Sequence, residues 1–291
     1  MATIVMTGAT SGIGRIAAAR LISGGNRLIV GARGDGSPLR AEVQPVDLGS
    51  LATVRAFAAK ISDPIDALVL NAGMQRLDVE ARTVDGFEQT FATNHLAHYL
   101  LARLLLPRIA EGGRIVLTSS GTHDPAEKTG IPAPRHAEAH KLADPATDPH
   151  RDARRQIAGL RAYSTSKLCN LMTARSLAMQ PDVVARGISV HAYDPGFIPT
   201  TGLARRAPLF VRVAIMPALS LFARLMPGMN VVEDGGTGLA GLADGSIASD
   251  RVYMSLRGGK PTWPDPSPLA RDDHACAKLW ADSAELVGLA A

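Results

Sequence analysis

Aromatic residues are scarce, with two tryptophans, four tyrosines and six phenylalanines among 291 residues. The core must therefore be aliphatic, and a 46% share of hydrophobic residues is ample for one, which excludes a disordered chain and a coiled coil. Cysteine is nearly absent. Cys169 and Cys276 lie far apart with no CxxC and no His-x-Cys spacing, so neither a disulfide framework nor a zinc site is indicated and a reducing compartment fits. Charge of one sign is also lacking: 31 Lys and Arg against 27 Asp and Glu leave +4, spread along the chain, which gives nucleic-acid binding no support. No basic leader precedes the first apolar run, MATIVMTGATSGIG, which reads as a buried strand rather than a signal peptide. The longest apolar stretch, Ala207 to Ala223, is broken by Pro208, Arg212 and Pro217, so it falls short of the roughly 20 uninterrupted residues of a membrane span. A cytoplasmic protein without an integral membrane segment is expected.

What is present is an alternation of short β-branched runs with longer amphipathic ones, the pattern of a parallel sheet covered on both faces. Strands are predicted at Thr3–Met6, Arg27–Val30, Val43–Val46, Ala67–Leu70, Arg114–Thr118, Ser189–Ala192 and Arg251–Met254. Helices are predicted at Ile13–Ser23, Leu51–Lys60, Phe87–Leu106, Arg161–Met179, Glu233–Ala243 and near Asp272–Leu286. The expected architecture is a single α/β domain over residues 1–291, a Rossmann fold with a doubly wound, seven-stranded parallel sheet. Two connections depart from regular spacing. Gly34 to Glu42 is too short for a full crossover helix, whereas Thr122 to Gln156 is a long polar insertion with five prolines and four histidines, either a functional flap or an ordered insertion.

The first strand runs into Thr7-Gly8-Ala9-Thr10-Ser11-Gly12-Ile13-Gly14 and then a helical segment. Glycines let a pyrophosphate approach the backbone, and the helix N-terminus supplies N–H groups and partial positive charge. A structural turn is the competing reading, but the strand-turn-helix context favours a dinucleotide. Gly31-Ala32-Arg33 ends the second strand, where an NAD-binding protein usually places an acidic residue for the ribose 2′-hydroxyl. The Arg33 guanidinium suits a 2′-phosphate and stacking on adenine, so NADP(H) is the expected cofactor, with Asp35 close by and a plain surface arginine as the alternative. Asp47 and Leu48 follow the third strand, Asp47 being placed to accept from the adenine amino group. Asn71-Ala72-Gly73 ends the fourth strand, where small residues let a cofactor lie close.

Tyr163 and Lys167 stand four residues apart in a segment of helical spacing, one turn apart on one face. A neighbouring ammonium favours the phenolate of a tyrosine, making it a credible general acid/base. Ser120, at the end of the fifth strand, can donate to a developing oxyanion, and Asn94, inside the preceding helix, can hold a water that relays protons to Lys167. Taken in order, these motifs resemble the short-chain dehydrogenase/reductase family over nearly the whole chain. TGATSGIG is similar to its phosphate turn and NAG to its fourth-strand signature. The resemblance implies Asn94, Ser120, Tyr163 and Lys167 as a catalytic tetrad. It also implies cofactor contacts from Gly8, Thr10, Ser11, Gly12, Ile13, Gly14, Arg33, Asp47, Leu48, Asn71, Ala72, Gly73, Tyr163 and Lys167, and from Pro195, Gly196, Ile198 and Thr200 of the sixth-strand motif that faces the nicotinamide.

A narrower likeness, carried by Ala162-Tyr163 to Asn170, Pro195 to Leu203, Arg251-Val252-Tyr253 and the Thr93–Leu101 run TNHLAHYLL, is to the branch of protochlorophyllide reductases and retinol dehydrogenases. Phe197 occupies the place of the reactive cysteine of the protochlorophyllide enzymes, and Cys169, on the tyrosine helix, does not replace it. Residues 205–229 read as a helical substrate lid, apolar with four interspersed arginines, over a pocket for a bulky hydrophobic small molecule; a peripheral amphipathic helix is the alternative. The expected reaction is hydride transfer between NADP(H) and a carbonyl/alcohol pair. Reduction of an activated C=C bond, or a non-catalytic NADP(H)-sensing protein, are the rivals. His123, His136, His140 and His150 lack a metal-site arrangement, and His95 and His98 read as packing or capping residues. The family implies a homo-oligomer, dimer or tetramer, through the helices Phe87–Leu106 and Arg161–Met179, which the insertion at 122–156 has room to block, so a monomer stays open.

Overall fold

Runs such as Ile4–Met6, Leu28–Val30, Leu68–Leu70 and Ile115–Leu117 carry no polar residue, which suits strands covered on both faces. All are buried in the structure, a computed structural model that describes residues 1–34, 41–198 and 229–290. The strands are β1 (Thr3–Thr7), β2 (Arg27–Ala32), β3 (Glu42–Pro45), β4 (Ile65–Leu70), β5 (Ile109–Thr118), β6 (Ser189–Asp194), β7 (Tyr253–Arg257) and β8 (Lys260–Thr262). They form one sheet in the order β3-β2-β1-β4-β5-β6-β7-β8. Pairing is parallel as far as β7, and β8 runs antiparallel to β7.

The eighth strand corrects the expectation of seven. It follows from the dipeptide Gly258-Gly259, whose φ angles of 55° and 73° are both in the left-handed region that a tight hairpin turn demands. Lys260–Thr262 is too short to show a period of its own.

The principal helices are α1 (Gly12–Ser23), α2 (Leu51–Lys60), α3 (Ala97–Leu105), α4 (Arg155–Ala178), α5 (Val232–Asp244) and α6 (Asp273–Leu286). Alternate strand residues feed two cores. Ile4, Met6, Ala67, Val69 and Val116 pack against α1 and α5, while Val5, Leu68, Leu70, Ile115 and Leu117 face α2, α3, α4 and α6. Between α1 and α5 the contact is unusually close. Ile16 Cβ lies 2.4 Å from where a Cβ of Gly236 would stand, so a larger residue there would drive α1, and the turn before it, away from the sheet.

The helix expected at Phe87–Leu106 is divided into a short turn Gln89–Phe91, a π turn Ala92–Leu96 and α3. A π turn inserts an extra residue into the ladder and commonly marks a functional position. Here Asn94 is at its centre. The insertion is ordered: Ala137, Ala139 and Ala143 enter the core, and Asp152 receives both Arg135 and Arg161 at 2.7 Å. The four histidines of the segment are dispersed. His123 faces the Ser120 carbonyl, His136 pairs with Asp148 at 3.2 Å, His140 with Glu285 at 3.5 Å, and the His150 carbonyl accepts from Arg135.

α6 lies across α3 and α4, with Tyr99 Oη donating to the Trp280 carbonyl at 2.9 Å and Arg175 pairing with Asp273. Cys169 and Cys276 are buried free thiols. Among the described residues no helix is long and apolar enough to cross a membrane. Asp35, Thr200 and all of the proposed lid except Met229 lie outside the described residues.

Candidate active site

The strand order reverses at β1 and β4, and a doubly wound sheet holds its ligand in the crevice at the carboxyl ends of strands beside such a switch. The glycine turn lies there. Gly8, at φ 72°, has no room for a side chain: a Cβ would stand 2.6 Å from the Ala72 backbone. At Gly14 a Cβ would stand 1.9 Å from the Gly8 carbonyl oxygen. Gly12 differs, because its φ of 55° requires glycine while the space beyond it is open. Thr10, Ser11 and Gly12 are exposed, and Ser11 occupies the N-cap of α1 without closing a side-chain hydrogen bond onto it. Open backbone N–H groups at a helix N-terminus, above a turn pressed against β4, fit a pyrophosphate.

Asn71 locks this turn. Its Nδ2 donates to the Gly8 carbonyl at 3.0 Å, and its Oδ1 accepts from Thr118 Oγ1 at 3.0 Å, joining β1, β4 and β5. The side chain of the NAG motif thus holds the cradle, while Ala72 and Gly73 present backbone. Thr7 Oγ1 accepts from the amides of Asn71 and Ala72, so its own proton must go to His98 Nε2, 3.0 Å away. Donor accounting then makes His98 Nδ1 the protonated nitrogen, donating to the Asn94 carbonyl at 3.0 Å. Burial, with the Lys167 charge adding to it, lowers His98 to about 3 and keeps the ring neutral in this bridge. His98 was readable only as a packing or capping residue. Its position one turn after Asn94 is the signal that would have linked them.

Arg33 is exposed just past β2 and makes no ion pair with the described residues. Asp47 and Leu48 lie beyond β3, which ends at Pro45. Asp47 Oδ1 is occupied by the Gly49 amide at 2.9 Å, shaping the turn into α2, and Leu48 is buried.

Around the tetrad, Tyr163 and Lys167 sit one turn apart on α4, with Nζ 5.9 Å from the phenol ring centre. Tyr163 is half-buried at the cleft, and Ser120 follows the end of β5. Lys167 Nζ donates to the Thr118 carbonyl at 3.0 Å, and burial lowers its ammonium to about 8. Asn94 is fully buried. Its amide closes on the Met74 backbone in both directions at 2.8 Å, and Nδ2 also donates to Ser166 Oγ at 3.0 Å. These bonds fix the loop after β4, and a Cβ on Gly73 would stand 3.3 Å from Lys167 Nζ and 3.5 Å from Asn94 Oδ1.

One expectation is corrected in sign. Burial, followed by the negative charge of Asp194, pushes the Tyr163 phenol up to about 12, and Ser120 offsets only part of this.

The sixth-strand motif bends at Gly196, φ 68°, where a Cβ would stand 2.4 Å from the Leu256 carbonyl. Asn230, unnoticed in the sequence, clamps it. Nδ2 donates to the carbonyls of Pro195 at 2.8 Å and Leu256 at 2.7 Å, and Oδ1 accepts from the Gly259 amide at 2.8 Å. Ile198 is buried, reaching the same patch of α5 at Gly235 that Ile13 touches, so the motif and the glycine turn share a support.

A family model described as short chain dehydrogenase matches residues 2–130. A proposed daunorubicin C-13 ketoreductase of Streptomyces sp. strain C5 is 33% identical, over 98% of this chain and 92% of its own length. Protochlorophyllide reductase B of Oryza sativa subsp. japonica is 30% identical, over 99% of this chain and 78% of its own. The chain belongs to the short-chain dehydrogenase/reductase family. A crystal structure of an uncharacterized protein from Mycobacterium paratuberculosis shares the fold, with a TM-score of 0.73 at 27% identity, covering 100% of this chain and 94% of that one. As a short-chain dehydrogenase/reductase the protein is an oxidoreductase that acts on CH–OH and C=O groups, and the protochlorophyllide reductase match agrees with the branch its motifs resemble.

Proposed function

We propose that this protein reduces the carbonyl of a bulky hydrophobic substrate with NADPH. The observation that carries the reading is Tyr163 one helical turn from the buried Lys167 ammonium, with Ser120 just past β5, all at the edge of the sheet that holds the glycine turn. The residues present fit the nicotinamide dinucleotide, because the turn cannot accommodate a Cβ at Gly8 or Gly14 and leaves the space over Gly12 open. Gly8, Thr10, Ser11, Gly12, Ile13 and Gly14 would hold the pyrophosphate, Asn71, Ala72 and Gly73 would pass along the adjoining ribose, and Asp47 and Leu48 would flank the adenine. Arg33 would meet a 2′-phosphate with its planar fork. Pro195, Gly196, Ile198 and Thr200 would border the nicotinamide. When bound, the dinucleotide supplies the hydride.

The chain's own residues handle the proton. Ser120 Oγ donates to the carbonyl oxygen as charge develops on it, and Tyr163 Oη delivers its proton to that oxygen. A phenol held near 12 is protonated at neutral pH, which suits an acid more than a base. Lys167, largely charged at neutral pH, supplies the nearest positive charge to the resulting phenolate and would hold the ribose hydroxyls. Asn94 fixes the Met74 loop beside them and is the proposed anchor of the proton relay.

The bulky-substrate reading draws on the apolar composition of residues 205–229 and on the two relatives, whose names refer to large ring systems. It is tested by NADPH oxidation against steroid, retinal-like, quinone and small-ketone panels. Turnover of the large carbonyls at higher kcat/KM than the small ketones supports the reading, and preference for small ketones overturns it.

A further inference from the structure

His98, on α3, belongs to the TNHLAHYLL run, and its imidazole is fully buried between the glycine turn and the tetrad. A circuit of hydrogen bonds closes around the site through it. Lys167 Nζ donates to the Thr118 carbonyl, and Thr118 Oγ1 donates to Asn71 Oδ1. The Asn71 amide donates to Thr7 Oγ1 at 3.1 Å, and Thr7 Oγ1 donates to His98 Nε2 at 3.0 Å. His98 Nδ1 donates to the Asn94 carbonyl at 3.0 Å, and Asn94 Nδ2 donates to Ser166 Oγ at 3.0 Å, beside Lys167 on α4. Ser166 Oγ in turn donates to the Tyr163 carbonyl at 2.7 Å. One half of the circuit, Thr7, Asn71 and Thr118, shapes the glycine turn, and the other half, Asn94, Ser166 and Lys167, carries the tetrad. His95 in the same run makes a contrast. Its Nε2 meets Ser283 Oγ on α6 at 2.9 Å and its imidazole stacks on Phe91, so it fastens α6 and not the site.

We propose that His98 is a positioning residue that keeps the tetrad in register with the nucleotide turn, its two imidazole nitrogens serving the two halves of the circuit separately. The inference rests on the reading of the glycine turn as the nucleotide cradle and of Tyr163 and Lys167 as the proton-handling pair. Packing alone does not explain an imidazole here, since an apolar side chain would fill the space and leave the Thr7 hydroxyl proton without an acceptor. The two ends make opposite demands. Thr7 Oγ1 already accepts the amides of Asn71 and Ala72, so it requires an acceptor for its own proton, whereas the Asn94 carbonyl requires a donor. A neutral imidazole protonated on Nδ1 meets both, and lysine or arginine, which only donate, would not. The Thr7 end bears on nucleotide binding, because Thr7 precedes Gly8 and Asn71 Nδ2 holds the Gly8 carbonyl. The Asn94 end bears on turnover, because Asn94 braces the Met74 loop and the Ser166 hydroxyl that lies between Tyr163 and Lys167.

The test separates the two nitrogens. In His98→Asn the side-chain amide nitrogen takes the place of Nδ1 and keeps the bond to the Asn94 carbonyl, while in His98→Gln the amide oxygen reaches the place of Nε2 and keeps the bond from Thr7. NADPH affinity is read by fluorescence titration of the protein alone, and kcat with the best bulky carbonyl of the substrate panel. His98→Asn should raise the NADPH Kd about tenfold, the scale of one buried hydrogen bond, and lower kcat by much less. His98→Gln should do the reverse, lowering kcat about tenfold and changing Kd by much less. A general loss of stability does not produce that crossed pattern. Equal effects of the two substitutions on Kd and kcat, or a fall in urea midpoint with both constants unmoved, overturns the proposal. Should both variants fail to fold, Thr7→Val removes the hydroxyl from the other end of the bond: a raised Kd supports the proposal and an unmoved Kd overturns it. Tight NADPH binding and an inactive Tyr163→Phe enzyme without the crossed pattern reject His98 alone, whereas wild-type protein that binds no NADPH, or an active Tyr163→Phe enzyme, rejects the reading beneath it.

Discussion

Lys167→Met should leave the enzyme inactive and more stable. The ammonium is buried in the protein, and burial moves it from 10.5 to about 8. At about 1.4 kcal/mol per pKa unit the charged form carries a penalty of roughly 3 kcal/mol at neutral pH. Methionine keeps the stem and removes the charge. Against this stands one lost hydrogen bond, from Nζ to the Thr118 carbonyl, worth about 1 kcal/mol, and that carbonyl keeps its bond from Asn170 Nδ2 at 3.1 Å. A net gain of about 2 kcal/mol is expected, which for a domain of this size raises Tm by about 4 °C. The pH dependence gives a sharper signature. Because the folded pKa lies below the unfolded one, the unfolded chain binds more protons between about 8 and 10.5, so wild-type stability rises across that window. The penalty is complete below about pH 8 and gone above about 10.5, and the methionine variant lacks the rise. Urea unfolding without added nucleotide, read as a shift in midpoint at constant slope, measures this. A variant less stable than wild type at neutral pH, or a gap between the two that is the same at neutral pH and at about pH 10, would refute the reasoning.

Three further outcomes follow from the geometry. Arg33→Asp should raise the KM for NADPH at least about tenfold while changing that for NADH little, because a bidentate charge contact to a phosphate is lost; equal losses in steady-state kinetics would remove Arg33 from phosphate recognition. Gly14→Ala drives a methyl group into the Gly8 carbonyl, 1.9 Å away, and backbone cannot yield as a side-chain tip does. Nucleotide binding followed by fluorescence should weaken by an order of magnitude or more, and unaltered affinity would show that the turn is not the cradle. Asn230→Ala strands the Pro195 and Leu256 carbonyls and the Gly259 amide, so denaturant unfolding should register a loss of about 2–4 kcal/mol. A loss below about 0.5 kcal/mol would show that the clamp is dispensable.

The parallel sheet was legible because strands buried on both faces leave unbroken apolar runs, and α2 matches its predicted bounds at Leu51–Lys60. Elements whose signal is a geometry rather than a period were not. β8 rests on a two-glycine turn, and the π turn at Ala92–Leu96 keeps helical hydrophobic spacing on both sides, so the chain reads as one helix through it. α4 begins at Arg155, earlier than its predicted start, because the insertion buries polar segments that look solvated in sequence.

At the site, residues with a motif were named in advance, and residues that act by folding back from distant elements were not. Asn230 meets Pro195 across 35 positions, and Asp194 receives Ser255 across 61. The electrostatic sign at Tyr163 was missed for the same cause. Spacing along one helix showed Lys167, but the carboxylate on β6 becomes a neighbour only when the sheet is assembled.

The most direct measurement is the turnover of Tyr163→Phe with NADPH and the best bulky carbonyl of the panel, beside its NADPH affinity. Removing the single hydroxyl oxygen leaves the glycine turn and the Asn230 clamp untouched. The account predicts a fall in kcat on the order of 10²–10⁴, the scale of a lost general acid, with NADPH affinity unchanged within a few-fold. Undiminished kcat in that variant would contradict it.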